Sequence, residues 1–514
     1  MSPLKIVMKR DAVITSVLFL SLLALHLWTL MRFPAPFVDE VWYTSRTWGY
    51  IQTGRVFGDL DRGIFDYYEG YWTVLPGLPI FLRSFFLRFS SAPSLLAMRL
   101  ASLFFGLVFL GALYATAVRL ADRRFAVWTV GLVTLSASFL QVAHIARTDI
   151  ESATFGYLAL ALYFNNPGSK VWVAFLSGLC LGLAYHCHPH GVVLGPPIVA
   201  LYLWHERWAI FRSRAFWAFA AGGIAGLLLF GFLHILPNPD TYFKTMALNY
   251  ASTHIPPLLT GDPAIILQAF SNMRDALLRD YRAMTLLILA AAGVGLAITR
   301  RSDMDKTLLV LVIATFLSHT LLVRNKFAFY SLLSSPMIEM MAVLFAMRLF
   351  YQPWWGGWRD YMGRLVTGAM VGFHCLAMIA FASLINGYPS YQAAQQGVNQ
   401  AVREGDRIIG PQTYWLELYD HPYYPWEALV YYHHYDPDST LAEAMEQFKP
   451  DIFVMDVSAQ EFIQDIPANS PYADQLHLSQ TELEAFLAKQ ATVVTEFENG
   501  VYGPVKVYRI TWPE

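Results

Sequence analysis

The 514 residues are 56% hydrophobic and only 14% charged, with a positive mean hydropathy. That composition excludes an ordinary water-soluble enzyme or a disordered segment and describes a polytopic α-helical membrane protein. The net charge of −2 hides a split: 30 Lys and Arg face 19 Asp and Glu before Tyr388, and 6 face 19 from there on, with nothing that points to nucleic acid.

The first apolar run, Ala12 to Met31, follows Lys9 and Arg10. It is longer than a usual signal core, and Phe33-Pro34-Ala35-Pro36 is a poor cleavage site, so it reads as an uncleaved first membrane helix. Ten further spans are predicted: Leu95–Val118, Phe125–Val142, Ile150–Phe164, Val171–Tyr185, Gly191–Trp204, Phe216–Leu236, Met284–Thr299, Leu308–Val323, Tyr330–Leu349 and Leu365–Ile385. Several fall short of the ~20 residues that a straight span needs, which leaves room for tilt or re-entrance.

Loop charge sets the orientation. With the N-terminus in the cytoplasm, the inside loops carry Arg119, Arg123 and Arg124; Lys170; Arg207, Arg212 and Arg214; Arg300, Arg301 and Lys306; and Arg359 and Arg364. This obeys the positive-inside rule. The loops Arg32–Ser94 and Pro237–Ala283 then lie outside. An odd number of spans puts the acidic tail outside too, in the periplasm of a bacterial inner membrane.

The first outer loop carries two amphipathic segments, Glu40–Thr53 and Tyr71–Phe89, expected to lie at the membrane surface. Between them Gly54–Gly70 is turn-rich and acidic. Its plain reading is a solvated loop; the gathering of aromatics around it favours acceptor or lipid contact. Two domains follow: residues 1–387 in the membrane and 388–514 as an acidic α/β unit. In the latter, Arg407–Gln412, Asp451–Val457, Thr492–Glu498 and Val505–Thr511 read as strands, and Thr440–Phe448 and Gln480–Lys489 as helices. Asp456, at a strand end, reads as a cap. The three cysteines, Cys180, Cys187 and Cys375, all lie in apolar runs, so no disulfide framework holds the tail.

Four clusters carry the chemistry, and all fall on the outer face. Asp39 and Glu40 stand directly after the first span. An Asp there is either a general base on an acceptor hydroxyl or the cap of a helix starting at Glu40. His144, Arg147 and Glu151 share a face if the segment is helical. Arg147 either pairs with Asp149 or Glu151, or grips a phosphate or carboxylate through its planar fork. His186, His188 and His190 alternate around Pro189. They fit hydrogen bonds to a phosphate or sugar, or interfacial histidines at a hairpin; the spacing matches no standard zinc motif. Arg324 and Lys326 precede Tyr330 and could neutralise a phosphate or snorkel.

This pattern resembles the polyprenyl-phosphate-sugar glycosyltransferases of the GT-C class. The likeness rests on the Asp39-Glu40 pair after the first span, the Arg147-x-Asp149 cluster before the fourth, and Lys326, Tyr330 and Pro336. The nearest families are the dolichyl-phosphate-mannose protein mannosyltransferases and the bacterial aminoarabinose transferase that modifies lipid A. The resemblance implies inverting transfer of a hexosyl or pentosyl group from a polyprenyl-phosphate donor to a glycan, lipid or protein acceptor. It assigns Asp39 as the base, with Glu40 beside it. Arg147, Asp149, Glu151, His186, His188, His190, Lys326 and Tyr330 would bind substrate. Many bacterial relatives carry a lysine where this chain has its three histidines, which leaves open a divalent cation, Mg or Mn, or a different donor. The competing readings are a multi-span transporter or flippase, which predicts inverted repeats and charges buried mid-span, and a non-catalytic scaffold.

Overall fold

The computed structural model describes residues 16–17, 19–64, 77–166, 169–250, 255–278, 281–300, 302–351, 358–384, 387–436, 438–460, 463 and 478–513. Helices stand at all eleven places where apolar runs predict them, interleaved with the elements of the outer loops. In chain order they are α1 (Phe19–Thr29), α2 (Val38–Thr53), α3 (Leu78–Leu87), α4 (Leu95–Leu120), α5 (Arg123–Thr134), α6 (Ala137–His144), α7 (Asp149–Phe164), α8 (Val171–Cys187), α9 (Gly195–Glu206) and α10 (Arg214–Phe230). There follow α11 (Pro239–Tyr250), α12 (Pro257–Thr260), α13 (Pro263–Leu278), α14 (Tyr281–Arg300), α15 (Asp303–Leu322), α16 (Ser335–Tyr351) and α17 (Trp358–Leu384).

Among the described residues three helices are long and apolar enough to cross a bilayer unaided: α4, α15, and α10 with its π-turn to Ile235. A fourth crossing is made by α5 and α6 together, bent by 64°. The third predicted span is therefore broken. Ser136 ends it locally: its hydroxyl accepts from Phe139 N–H at 3.3 Å and caps α6, offering the backbone an alternative to continuous helix. The sixth predicted span likewise opens as a 3₁₀ turn, Pro189–Leu194, before α9 begins. Here Pro189 and the pair Pro196-Pro197 remove donors from the ladder, which suits helix starts.

The bundle core is built from Phe105, Phe109, Leu113, Val133, Phe139, Ile150, Leu160, Leu194 and Met341, all buried. Glycine seams let α8 approach α10: a Cβ on Gly178 would lie 1.8 Å from Phe219 O, and one on Gly222 2.0 Å from Phe175 O. At the mouth of the bundle, His26 Nδ1 lies 2.8 Å from His144 Nε2, tying α1 to α6.

The tail forms α18 (Gly387–Asn399), α19 (Glu427–Tyr435), α20 (Leu441–Phe448), α21 (Val457–Gln460) and α22 (Gln480–Gln490) around a five-stranded sheet. Its strands are β1 (Ile408–Gly410), β2 (Tyr423–Pro425), β3 (Ile452–Met455), β4 (Ala491–Asn499) and β5 (Gly503–Ile510), in the order β2-β1-β3-β5-β4. β1 pairs in parallel with β2 and β3 (Ile408 opposite Ile452), and β5 runs antiparallel to β3 and β4 (Tyr508 opposite Phe453). Four strands and two helices match those expected; β2, three residues with a Pro, is too short to show in the pattern. Asp456 caps α21 as expected, accepting from Ser458 N–H at 2.9 Å and Ala459 N–H at 3.2 Å. Burial raises its pKa despite those bonds.

The tail does not hang free. Tyr414, Trp415 and Tyr502 share one core with Val41 of α2 and Leu60 of the first loop. Tyr502 Oη donates to Pro36 O at 2.9 Å. This corrects the reading of α2 as a helix lying at an open membrane surface: it is clamped between bundle and tail, and Val41 to Thr47 are largely buried. α3 keeps the surface character, with Phe81 and Phe85 exposed and Arg83 turned inward. Nor is the described part of the acidic loop simply solvated. Asp61 is buried, ion-paired with Arg46 at 2.9 Å, while Arg46 stacks over Trp42 at 4.6 Å. Asp66 and Glu69 lie outside the described residues.

Candidate active site

The site forms where α1 gives way to α2 and where α6 gives way to α7. α2 begins at Val38, not Glu40, and its N-cap is Phe37. Glu40, at the third helical position, reaches back and accepts from Phe37 N–H at 2.8 Å. The capping role expected of Asp39 thus belongs to Glu40. Freed from it, Asp39 points its partly exposed carboxylate out of the helix start and meets Arg147 Nη1.

Glu40 is corrected as a reactive group. It is fully buried, accepts from Arg99 Nη2 at 2.6 Å and Nε at 3.0 Å, and accepts from Ala146 N–H at 3.2 Å. Four donors saturate it and no substrate reaches it. Its effect is to hold the helix start that carries Asp39 against the segment that carries Arg147.

Residues 145–148 are extended, so His144, Arg147 and Glu151 do not share a helical face. α6 ends at His144, and that ring turns back to Phe33 O at 2.9 Å. Arg147 lies between two carboxylates: Asp39 on one side and Asp149 Oδ2, at 2.9 Å, on the other. Its guanidinium also lies 4.2 Å over the Phe329 ring and 5.9 Å from Phe37, whose rings pack together at 5.4 Å. Glu151, expected to contact substrate, is instead fully buried against Arg83 at 2.7 Å.

The three histidines divide. His188 and His190 stack with Tyr330, at 5.3 Å and 4.1 Å, beside the Arg147 site. His186 turns away into the helices, edge-on to Phe230 at 5.4 Å, which corrects its placement among substrate contacts. Lys326 is corrected too. Its Nζ donates to the carbonyls of His319 (2.9 Å), Thr320 (3.1 Å) and Val323, so it caps the C-terminus of α15 rather than meeting a phosphate. Burial lowers its pKa to about 8.

Sequence reasoning missed Arg99 and Phe329, and it saw Arg83 only as part of a surface helix. Arg99 had a signal: a cation inside an apolar run asks for a partner. Phe37 and Phe329 had none, since aromatics abound at both membrane boundaries.

No group of three or more His, Cys, Asp or Glu converges as a metal centre among the described residues. The two carboxylates that come together, Asp39 and Asp149, hold the guanidinium of Arg147 between them. That arrangement does not fit a divalent cation without moving Arg147. What it offers is a half-exposed carboxylate, a cation whose remaining face is flanked by aromatic rings, and imidazole and phenol groups alongside.

This architecture is that of the GT-C glycosyltransferases, as the Asp39-Glu40 and Arg147-x-Asp149 patterns led one to expect. Residues 76–233 match the family model of dolichyl-phosphate-mannose-protein mannosyltransferase. The whole chain has the fold of ArnT from Cupriavidus metallidurans. It is 13% identical to the crystal structure bound to undecaprenyl phosphate, with a TM-score of 0.65 over 97% of this chain and 99% of that chain. The apo form of ArnT matches at 13% identity and a TM-score of 0.60, over 99% of this chain and 100% of that one. The archaeal oligosaccharyltransferase AglB from Archaeoglobus fulgidus, in complex with an inhibitory peptide and a dolichol-phosphate, matches at 13% identity and a TM-score of 0.51, over 86% and 70%. No curated protein matches the sequence.

Proposed function

We propose that the chain is an integral membrane glycosyltransferase that moves a hexosyl or pentosyl group from a polyprenyl-phosphate carrier to a glycan, lipid or protein acceptor. The observation that carries this reading is the Asp39–Arg147–Asp149 arrangement: a reachable carboxylate beside a cation that its surroundings hold in place. The ArnT and AglB structures that share the fold contain undecaprenyl phosphate and dolichol-phosphate.

In this reaction the acceptor hydroxyl oxygen attacks the anomeric carbon from the side opposite the phosphate. The bond from that carbon to the phosphate oxygen breaks with its electron pair, the hydroxyl proton passes to Asp39, and configuration inverts. Arg147 faces the charge that develops on the leaving phosphate. As the phosphate draws Arg147 toward itself, Asp39 loses part of its counter-charge and becomes a stronger base when the proton must move. His188, His190 and Tyr330 contact the sugar or phosphate. Glu40 and Glu151 act only through their arginines.

We place this face outside the cytoplasm, in a bacterium on the periplasmic side of the inner membrane. The support is charge: Arg119, Arg123, Lys170, Arg214 and Arg300 all lie at the opposite ends of their helices. The acidic 388–514 unit, packed on α2, then forms an outer domain over the site.

The test is sugar transfer from a radiolabelled polyprenyl-phosphate-sugar pool by membranes carrying wild type or Asp39→Asn. Loss of transfer by a folded, inserted variant supports the assignment. Undiminished transfer removes Asp39 from the role.

A further inference from the structure

The end of the bundle away from Asp39 carries a site of its own. The close approaches between α8 and α10 rise together along both helices: Phe175 to Gly222, Gly178 to Phe219 and Gly223, and Gly182 to Gly226. The two helices are therefore parallel, with α9 returning between them. This puts Lys170, which precedes α8, level with Arg214, which opens α10. The 3₁₀ turn Arg207–Arg212 connects α9 to α10 at the same level. α8 spans 17 residues from here to the histidine turn, about 25 Å at the helical rise, so the two sites sit at opposite membrane faces.

Three features coincide there. Between α8 and α10 runs a groove of about 760 Å³ lined by Lys170, Val171, Trp172, Phe175, Ala218 and Ala221, apolar except for the lysine. Lys170, Arg207, Arg212 and Arg214 are exposed, and none has an acidic partner among the described residues. A collar of aromatics surrounds them: Trp172, Trp208, Phe211 and Trp217 are each more than half exposed, Trp208 stacks on Phe211 at 6.3 Å, and Trp217 Nε1 donates to Phe211 O at 3.0 Å.

We infer that this groove binds an anionic phospholipid of the leaflet opposite the Asp39 site. An acyl chain lies along Trp172, Phe175 and Ala218, and the phosphate sits at Lys170 and Arg214. The exposed wall of α10 beyond the groove, with Ile224, Leu227 and Leu228, is apolar throughout, as a lipid-facing surface is and a docking face for a soluble partner is not. Trp at the headgroup level and unpaired cations in the same layer suit a negatively charged interface. Arg214 adds a fork that grips phosphate oxygens in pairs. The site is independent of the chemistry at Asp39.

The experiment uses the full-length protein, delipidated in detergent and offered dioleoyl phosphatidylglycerol or dioleoyl phosphatidylcholine, with retained lipid counted by native mass spectrometry. Phosphatidylglycerol is expected to be retained and phosphatidylcholine not. The double variant Lys170→Gln, Arg214→Gln is expected to weaken retention about 25-fold, roughly fivefold for each cation lost at an anionic headgroup. Trp172→Ala tests the groove with the charges intact and is expected to weaken it as well. Equal retention of both lipids, or wild-type retention by the double variant, overturns the proposal. So does an equal loss in Arg123→Gln, which would mean that diffuse charge over the whole basic end holds the lipid.

Discussion

Glu40 and Arg99 meet in a buried two-point ion pair, Nη2 to Oε1 at 2.6 Å and Nε to Oε2 at 3.0 Å, across 59 residues of sequence. Arg99 also donates to Leu30 O at 2.8 Å, and Glu40 also accepts from Phe37 and Ala146. One carboxylate thus joins the end of α1, the start of α2, the side of α4 and the strand-like link to α7. Removing one partner leaves the other charge buried without compensation. Glu40→Ala is expected to cost about 3–5 kcal/mol, read as a lower thermal unfolding temperature in detergent, with loss of transfer following from loss of structure. A stable, inactive Glu40→Ala would instead return Glu40 to the reacting groups.

Arg147 separates charge from geometry. Its two carboxylate partners and the Phe329 ring use the planar fork and its flat face together. Arg147→Lys keeps the charge and loses both. Transfer is expected to fall by about 100-fold, the scale of one lost transition-state donor, with the unfolding temperature nearly unchanged because the site is partly open. Near-normal turnover in the lysine variant would show that a point charge suffices.

The seam between α8 and α10 leaves no room for side chains. A Cβ at Gly178 would lie 1.8 Å from Phe219 O, which is backbone and does not swing aside. Gly178→Leu is expected to push the helices apart and destabilise the bundle by about 1–3 kcal/mol or more. Gly231, whose Cβ would meet nothing within 4 Å, serves as the comparison: Gly231→Ala is expected to be neutral. Thermal aggregation of the two variants in detergent distinguishes them.

The tail carries a titrating group of its own. Burial raises the pKa of Glu427 from 4.5 to about 7, while the bond that its carboxylate accepts from Gln412 Nε2 lowers it in part. The folded state holds a proton that the unfolded chain releases, so this group's contribution is fully present below pH 4.5 and is lost as pH rises toward 7. Glu427→Gln is expected to flatten that part of the stability curve and to stabilise the protein at pH 7 by about 1–3 kcal/mol. Parallel pH profiles for variant and wild type between pH 4 and 8 would count against it.

Much of the architecture was legible in the chain. Apolar runs of helical length predict helices at eleven places, because removing apolar surface from water, or keeping it in lipid, is a property that short windows average well. The α/β pattern of the tail shows for the same reason. The breaks at Ser136 and Pro189 were less legible, since local polar side chains and prolines compete with the ladder only by small amounts that packing decides.

The site was legible as a neighbourhood but not as an assignment of roles. Asp39 and Glu40 are adjacent and chemically alike, and the chain alone cannot say which one emerges. The helix start rotates them apart: Glu40 goes inward to Arg99, and Asp39 outward to Arg147. Arg147, Asp149 and Glu151 divide in the same way once Arg83 claims Glu151 from 68 residues away. His186 parts from His188 and His190 because α8 continues through Cys187, which turns His186 toward α10. Lys326 is drawn to the carbonyls ending α15.

By itself the sequence determined a membrane bundle, a basic and an acidic end, a soluble-type α/β tail, and the short stretches where charge gathers. These follow from composition and periodicity, which act residue by residue. Only the tertiary structure decided which carboxylate is buried and which is reachable, that the tail clamps α2, and that Lys170 and Arg214 share one groove. Those depend on contacts between residues tens to hundreds of positions apart, and a buried charge takes whichever partner the fold brings within hydrogen-bonding distance, because in low dielectric an unpaired charge costs more than almost any local preference can repay.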